Sequence, residues 1–403
     1  MGECNNKNLQ RKMSFKYILL SFWDITRHII LSQKGDVLFF YPQHFNRSKN
    51  GTNLFFDSML EACEKNGVRY KVIEEPDGGT DKARNRQAIK GDFLYLLVIV
   101  LRKIAHLLYP SNDVYQNERP IARWFNIITL GKLRYRRYVT ISGSMQTLFV
   151  QMSPGCKALD IQHGILDNHN PGWFTDEGKL KQCFHNSSIQ WMVWGKGYKE
   201  CFTKGEQDMF EGRVHVVGYP IKNVQIETMC SRDSKRYVLV SLQLTKDGNK
   251  EWTENYMEML SNTLSELKGC NVKVLLKHHP RFNNAVDLSP IVSKYDFVEY
   301  TTESLDALSA KILIQVTYHS TTAYEYAQIG IPSYFIHSPQ MHRSIELFYD
   351  TYHYPIYENQ SLSDVIERLQ NEQNYQADSG KVKKWYKDFY SDFDENCFLN
   401  LIK

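Results

Sequence analysis

Long apolar runs are missing from this 403-residue chain: the nearest is the nine residues from Phe93 to Leu101, about half of the ~18 that a membrane span requires. An integral membrane protein is therefore not expected. Residues 1 to 30 imitate a signal peptide, with Lys7, Arg11, Lys12 and Lys16 ahead of the apolar run Tyr17 to Trp23, but the run is short, Asp24 follows it and no small-residue cleavage site is present. The expectation is an amphipathic N-terminal helix on a cytoplasmic protein. CxxC pairs and zinc-like spacings are also missing. The eight cysteines, at 4, 63, 156, 183, 201, 230, 270 and 397, are scattered, which favours reduced, packed thiols over a disulfide framework, a metal site or a nucleophile. No internal repeat or low-complexity tract stands out.

What is present suits a folded chain of more than one domain. A length of 403 residues exceeds one ordinary core, and 42% apolar residues suffice to build two. The charged fraction, 23%, is that of a globular protein and not of a disordered one. The net charge of +4 is unevenly placed: from Asp81 to Thr140 twelve Lys/Arg stand against four Asp/Glu, so this stretch carries +8 and the remainder −4. The same stretch contains the apolar runs Phe93 to Leu101 and Ile104 to Tyr109. Two readings stay open for it: helices with a buried face and a solvated Lys/Arg face, or a surface that rests on anionic lipid or grips an anionic acceptor. No recognised nucleic-acid-binding motif accompanies the charge, so nucleic acid is not an expected partner.

Short apolar runs alternate with helical periods along the chain. Strands are expected at Asp36 to Tyr41, Arg69 to Glu74, Arg137 to Ile141, Lys157 to Gln162, Trp191 to Trp194 and Val214 to Val217, with helices at Asn53 to Asn66 and Ser144 to Met152 and a basic helical segment over 81–136. From Arg236 the pattern restarts: strands at Tyr237 to Leu242, Lys273 to Lys277, Phe297 to Tyr300, Ile312 to Val316 and Ser333 to Ile336 are interleaved with helices at Glu251 to Leu267, Leu305 to Ala310 and Thr321 to Ile329. Alternating strands and helices predict α/β domains with parallel sheets built from right-handed βαβ units. The expected domains are 1–225 and 226–403, two Rossmann-like halves facing across a cleft, with ligands at the carboxyl ends of the strands.

Three polar clusters fall at such ends. The first is Gln162-His163-Gly164, followed by Asp167, Asn168 and His169. Imidazole titrates near neutral pH, so a histidine or carboxylate on this loop suits proton transfer from a hydroxyl, while a structural loop histidine is the plainer alternative. The second is Lys277-His278-His279-Pro280-Arg281, whose cationic and donor groups around a fixed turn suit a phosphate or diphosphate. Adjacent histidines rarely point to one centre and no third ligand is placed, so no metal is expected. The third is Ser320-Thr321-Thr322 with Glu325 a turn later; such hydroxyls either cap a helix or join its N–H groups in holding a phosphate, and Glu325 suits ribose hydroxyls.

In order along the chain, Gln-His-Gly at 162–164, Val-Gly-Tyr-Pro at 217–220, Lys-His-His-Pro-Arg at 277–281 and Ser-Thr-Thr-x-x-Glu-Tyr-Ala-x-x-Gly-Ile-Pro at 320–332 resemble the capsule and lipopolysaccharide GT-B transferases. The pattern is most similar to the users of CMP-activated donors, among them bacterial sialyltransferases and Kdo transferases, and to the teichoic-acid glycerophosphotransferases. It covers roughly residues 155 to 340. The resemblance implies that His279, Ser320 and Thr321 contact the donor phosphate with Arg281 in support, and that His163 is the general base as in the glycerophosphotransferases. In the sialyltransferase-like enzymes an acidic residue of an Asp/Glu-Asp/Glu-Gly motif fills that role; no such motif is read in the first domain, which leaves Asp167 as the substitute.

The expectation is thus a GT-B glycosyltransferase that moves a sugar from a nucleotide-activated donor, CMP-linked or else UDP- or GDP-linked, to a hydroxyl of a glycan or lipid-linked glycan, with inversion. The donor residues are Lys277, His279, Pro280, Arg281, Ser320, Thr321, Thr322 and Glu325, and the catalytic ones His163 or Asp167. No DxD motif of the usual transferase kind is read, so neither a metal nor a cofactor is expected, the nucleotide-sugar being substrate. The implied location is the cytoplasm, with peripheral contact at the inner face of the cytoplasmic membrane. A polyol-phosphate transferase would use the same residues, and a noncatalytic glycan-assembly scaffold would bind no nucleotide.

Overall fold

The structure, a computed structural model, describes residues 15–46, 51–77, 82–111, 114–142, 145–168, 170, 172–185, 187–221, 236–244, 250–279 and 286–403. The chain divides into two compact units, one of Met1–Lys222 with Ser391–Lys403 and one of Asn223–Tyr390.

Unit 1 carries a seven-stranded, all-parallel sheet in the order β3-β2-β1-β4-β5-β6-β7. Its strands are β1 (Val37–Pro42), β2 (Tyr70–Glu75), β3 (Ile89–Lys90), β4 (Arg137–Ile141), β5 (Lys157–Ile161), β6 (Ile189–Val193) and β7 (Val214–Val216). Every residue of β1 is buried, the mark of a central parallel strand covered on both faces. The helices are α1 (Phe15–Ile25), α2 (Leu54–Lys65), α3 (Asp92–Leu108), α4 (Val114–Ile128), α5 (Gln146–Met152), α6 (Gln182–His185), α7 (Lys196–Thr203) and α8 (Gln207–Phe210). Asn53 caps α2 by accepting from the Phe55 N–H, so the helix starts where the sequence pattern places it. The expected N-terminal helix is α1, extended by a π-turn at Thr26–Ile30, with Ser21, Ile25 and Ile29 inward.

Unit 2 carries a five-stranded, all-parallel sheet in the order β10-β9-β8-β11-β12. Its elements are β8 (Tyr237–Ser241), α9 (Lys250–Leu267), β9 (Lys273–Lys277), α10 (Ser289–Lys294), β10 (Val298–Tyr300), α11 (Leu305–Ser309), β11 (Ile312–Thr317), α12 (Thr322–Gln328), β12 (Ser333–Phe335), α13 (Arg343–Ile345), α14 (Leu362–Leu369) and α15 (Glu372–Phe389). Leu239, Leu275, Leu308, Ile312, Tyr326 and Ile331 form one core cluster on the sheet.

The second domain does not run to residue 403 as the sequence pattern suggests. Beyond Tyr390 the chain returns to unit 1, where α16 (Glu395–Ile402) packs on α2. The Val-Gly-Tyr-Pro turn is the dock for this return. The Tyr219 N–H donates to the Ser391 carbonyl at 2.8 Å, and the Asp394 N–H to the Val217 carbonyl at 2.9 Å. Gly218 has φ +80°, and a Cβ there would lie 2.0 Å from the Asp392 carbonyl oxygen, so the close approach requires glycine. Among the described residues no helix is long and apolar enough to cross a membrane.

Candidate functional site

In an open parallel sheet, ligands gather outside the carboxyl ends of the strands where the strand order reverses. In unit 1 that point lies between β1 and β4, and in unit 2 between β8 and β11.

At the unit 1 switch point, β1 runs into a 3₁₀ turn, Gln43–Phe45, that sets His44 and Phe45 at the sheet edge. His44 Nδ1 donates to Asp77 Oδ2, just beyond β2, at 2.7 Å. The Phe45 ring touches His44 at a centroid distance of 4.3 Å and His163, beyond β5, at 5.2 Å. One aromatic ring therefore joins two histidines that flank the end of β4. His163 is half-buried with its Nδ1 enclosed, and Asp167 is buried. Gln162 holds their loop: its Nε2 donates to the Gly164 carbonyl at 2.8 Å and its Oε1 accepts from the Trp194 N–H at 3.0 Å. Of the cluster read from sequence, His169 lies outside the described residues.

A buried polar network fixes the His44 turn. Glu74, fully buried at the end of β2, accepts from Asn46 Nδ2 and the Asn85 N–H, each at 2.7 Å, and pairs with Arg84. Arg84 also makes a two-point pair with Asp92 at 3.0 and 2.8 Å, and Gln43 accepts from the Asp77 N–H at 3.3 Å. None of this is legible in the sequence, where the partners are separated by up to 34 positions and carry no periodic signal.

In unit 2 the strand ends assemble a different chemistry. His279 follows β9, His319 and Ser320 follow β11, and Arg343 begins α13. Burial, then the charges of Arg343 and His279, pull the His319 imidazole down to about 4, so it is neutral at pH 7 and lies within electrostatic reach of both. Ser320 is buried; its Oγ accepts from the Thr322 N–H at 3.3 Å and from the Thr322 hydroxyl at 2.8 Å. Beneath them Gln315 Nε2 donates to Ser241 Oγ at 2.8 Å and to Thr322 Oγ1, while its Oε1 accepts from Ser333 at 3.0 Å. The hydroxyls are thus oriented by a fully buried amide that spans β8, β11 and β12.

The remaining residues expected at the donor site sit as follows. Thr321 is exposed, precedes α12 and makes no side-chain cap bond, and Glu325 is exposed on α12. Lys277 donates to the Glu303 carbonyl at 2.5 Å, and burial lowers its amine from the ordinary value against the pull of Glu303. His278 is buried against the Tyr300 ring at 5.4 Å, and burial lowers its imidazole. Pro280 and Arg281 lie outside the described residues. A cavity of about 480 Å³ opens beside the end of β12, lined by His337, His342, Ile345, Glu346, Asn359, Gln360 and Ser361.

Two acidic strings passed over in the sequence are present in the chain. Asp392-Phe393-Asp394 has the DxD form, but Asp394 caps α16 by accepting from the Cys397 N–H at 2.9 Å and Asp392 lies in the bridge to Tyr219. Asp176-Glu177-Gly178 has the Asp/Glu-Asp/Glu-Gly form. Its Asp176 and Glu177 are exposed and its Gly178 is buried, in a hairpin closed by the Phe174–Leu180 bridge, and the Thr175 hydroxyl bond holds Glu177 below its ordinary range. Among the described residues no group of three His, Cys, Asp or Glu side chains is placed to hold a metal ion. The cysteines described are free thiols, and burial pushes Cys156 up to about 11 and Cys63 and Cys201 to about 12, which suits packing and not nucleophilic attack.

No protein-family model matches the chain, and no curated protein matches it. Among solved structures it is similar to a variant of the wall teichoic acid polymerase TagF, with 14% identity over 96% of this chain and 91% of that one and a TM-score of 0.50. It is likewise similar to the apo form of the lipopolysaccharide outer core galactosyltransferase WaaB, with 12% identity over 91% of this chain and 99% of that one and a TM-score of 0.50. Likeness at these identities defines the fold, which is GT-B: two Rossmann-like units, each on a parallel sheet.

Proposed function

We propose that the chain is a glycosyltransferase of surface-polysaccharide assembly, moving a sugar from a nucleotide-activated donor to an acceptor hydroxyl. The observation that carries this reading is the group of His279, His319, Ser320, Thr322 and Arg343 at the strand-order switch of unit 2. Cationic and hydroxyl donors preset on a buried Gln315 suit a phosphate whose charge grows as the donor bond breaks. Glu325, exposed on α12 one turn beyond these hydroxyls, is assigned to the ribose of the nucleotide.

Unit 1 is assigned the acceptor. The acceptor oxygen gives its proton to a base at the strand ends, His163 or Asp167, and attacks the anomeric carbon. The bond from that carbon to the phosphate oxygen breaks, and the nucleotide leaves with the electron pair. One displacement inverts the anomeric centre. Fixed donors take the place of a divalent cation at the leaving phosphate, and no cofactor takes part. A CMP-linked sugar is the favoured donor, with UDP- and GDP-sugars as the alternatives, and the acceptor is a glycan or lipid-linked glycan at the inner face of the cytoplasmic membrane.

A second reading is transfer of a polyol phosphate, in which the same hydroxyl attacks phosphorus. The fold likeness to a wall teichoic acid polymerase supports it, and the phosphate-binding residues would be the same. The test is thermal stabilisation by CMP, CDP, UDP, GDP and ADP, since a ligand that binds only the native state raises the melting temperature. A shift with a cytidine nucleotide that is lost in Ser320→Ala supports the reading, and a shift with UDP or GDP moves the donor assignment. No shift with any nucleotide favours the noncatalytic scaffold.

A further inference from the structure

The apolar residues of the basic segment are not all spent on the core. In α3, Leu94, Val98, Leu101 and Ala105 turn inward at helical spacing. On the opposite side, Phe93, Leu96, Val100, Ile104 and Leu107 form a second apolar stripe, and Leu107 is 81% exposed. A surface helix with a second apolar stripe opposite its buried one keeps a face that the described residues leave partly exposed.

The neighbouring helices extend that face. α1 packs on α3 and presents Leu19, Phe22 and Trp23, the last 64% exposed; the Phe22 and Phe93 rings meet at 5.1 Å. Ser21 locks the two together, donating to the Lys90 carbonyl at 2.6 Å and accepting from the Phe93 N–H at 2.9 Å. α4 also packs on α3, with Tyr109 against Trp124; Ile127 near its end and Leu130 just beyond it are each 72% exposed. Among the described residues, every exposed large hydrophobic side chain except Tyr300 lies between Tyr17 and Leu130.

Charge identifies the occupant. Between residues 91 and 140 the exposed charged residues described are all basic: Arg102, Lys103, Arg119, Arg123, Arg134 and Arg136. The two acids described there, Asp92 and Glu118, are buried and paired with Arg84 and Arg102. An exposed apolar surface accompanied by exposed cations, of which only Arg102 is paired with an acid described in this stretch, and with Trp and Tyr among its exposed residues, fits the headgroup region of an anionic bilayer.

We propose that α1, α3 and α4 form a docking face for anionic lipid, with Leu107, Trp23, Ile127 and Leu130 entering the acyl boundary and Arg119, Arg123 and Lys103 meeting the headgroups. The contact is independent of the group transferred, so it and the transferase reading stand or fall separately.

The experiment is co-sedimentation of the full chain with vesicles of phosphatidylcholine alone and of phosphatidylcholine with phosphatidylglycerol, at low and high salt. The expected result is pelleting with the anionic vesicles, weakened by salt. Each Arg→Glu change at 119 or 123 should cost at least about fivefold in partitioning. The Leu107→Glu, Ile127→Glu double variant should cost more than about tenfold with an unchanged melting temperature, since both side chains are exposed. The proposal is overturned if the wild-type chain stays in the supernatant with anionic vesicles, or if the double variant pellets like the wild type. It is equally overturned if light scattering shows a dimer that the double variant dissociates while no vesicle binds, which would assign the face to a second copy of the chain.

Discussion

His44 donates to Asp77 across the carboxyl edge of the seven-stranded sheet at 2.7 Å, and the Phe45 ring sets that pair beside His163. A carboxylate on Nδ1 fixes the tautomer that leaves Nε2 as the proton acceptor and stabilises the imidazolium once it forms. Two histidines thus lie at the strand ends to which the acceptor is assigned, and His44 joins His163 and Asp167 as a candidate base. If His44 is the base, His44→Gln lowers kcat by about 10²-fold or more, whereas Asp77→Asn, which removes only the group that orients the imidazole, lowers it less. Parallel kcat measurements on His163→Gln and Asp167→Asn decide the matter: the base is the residue whose loss costs most.

His319 makes stability fall with pH on the acid side. Its imidazole titrates near 4 in the folded chain, from burial and then from Arg343 and His279, against about 6.5 when unfolded. As pH drops through 6.5 the unfolded state takes up the proton first, so stability declines from there to about pH 4, by up to about 3 kcal/mol. His319→Gln should flatten the slope between those values. Urea unfolding of both proteins at a series of pH values measures the difference, in which the carboxylates common to both cancel.

Gly218→Ala should release the C-terminal segment from unit 1. The added methyl meets the Asp392 carbonyl oxygen at 2.0 Å and sits at φ +80°, so strain and overlap together cost about 2–4 kcal/mol. Limited proteolysis should cut near Tyr390 in the variant and not in the wild type.

Arg84→Met should destabilise unit 1 by about 3–5 kcal/mol, because Glu74 is fully buried and loses its counter-charge. Replacing Glu74 by Gln in the same chain removes the stranded charge and should recover part of the loss. Denaturant midpoints of the single and double variants report this directly.

Much of the fold is legible because parallel α/β units repeat a local signal. β9, expected at Lys273 to Lys277, has those bounds, and most other strands lie within a residue or two of their apolar runs. The short β3, with only Ile89 and Lys90, carries too little pattern to be seen. The polar clusters at 162–167, 277–279 and 320–325 were found by type and by position at strand ends. His44, Asp77, His319 and Arg343 were not, since each gains meaning only from a residue distant in sequence.

The sequence by itself determined two parallel α/β units and the placing of three polar clusters where strands stop, because hydrophobic period and turn residues act over a few positions. Only the tertiary structure decided which side chains share a site. Parallel pairing brings β1, β2 and β5 to one edge and β8, β11 and β12 to another, so His44 reaches Asp77 and Gln315 reaches Ser241 and Ser333. It also decided which apolar residues stay outside: the inner and outer stripes of α3 are alike in composition, and only the sheet and helices packed against one of them tell them apart.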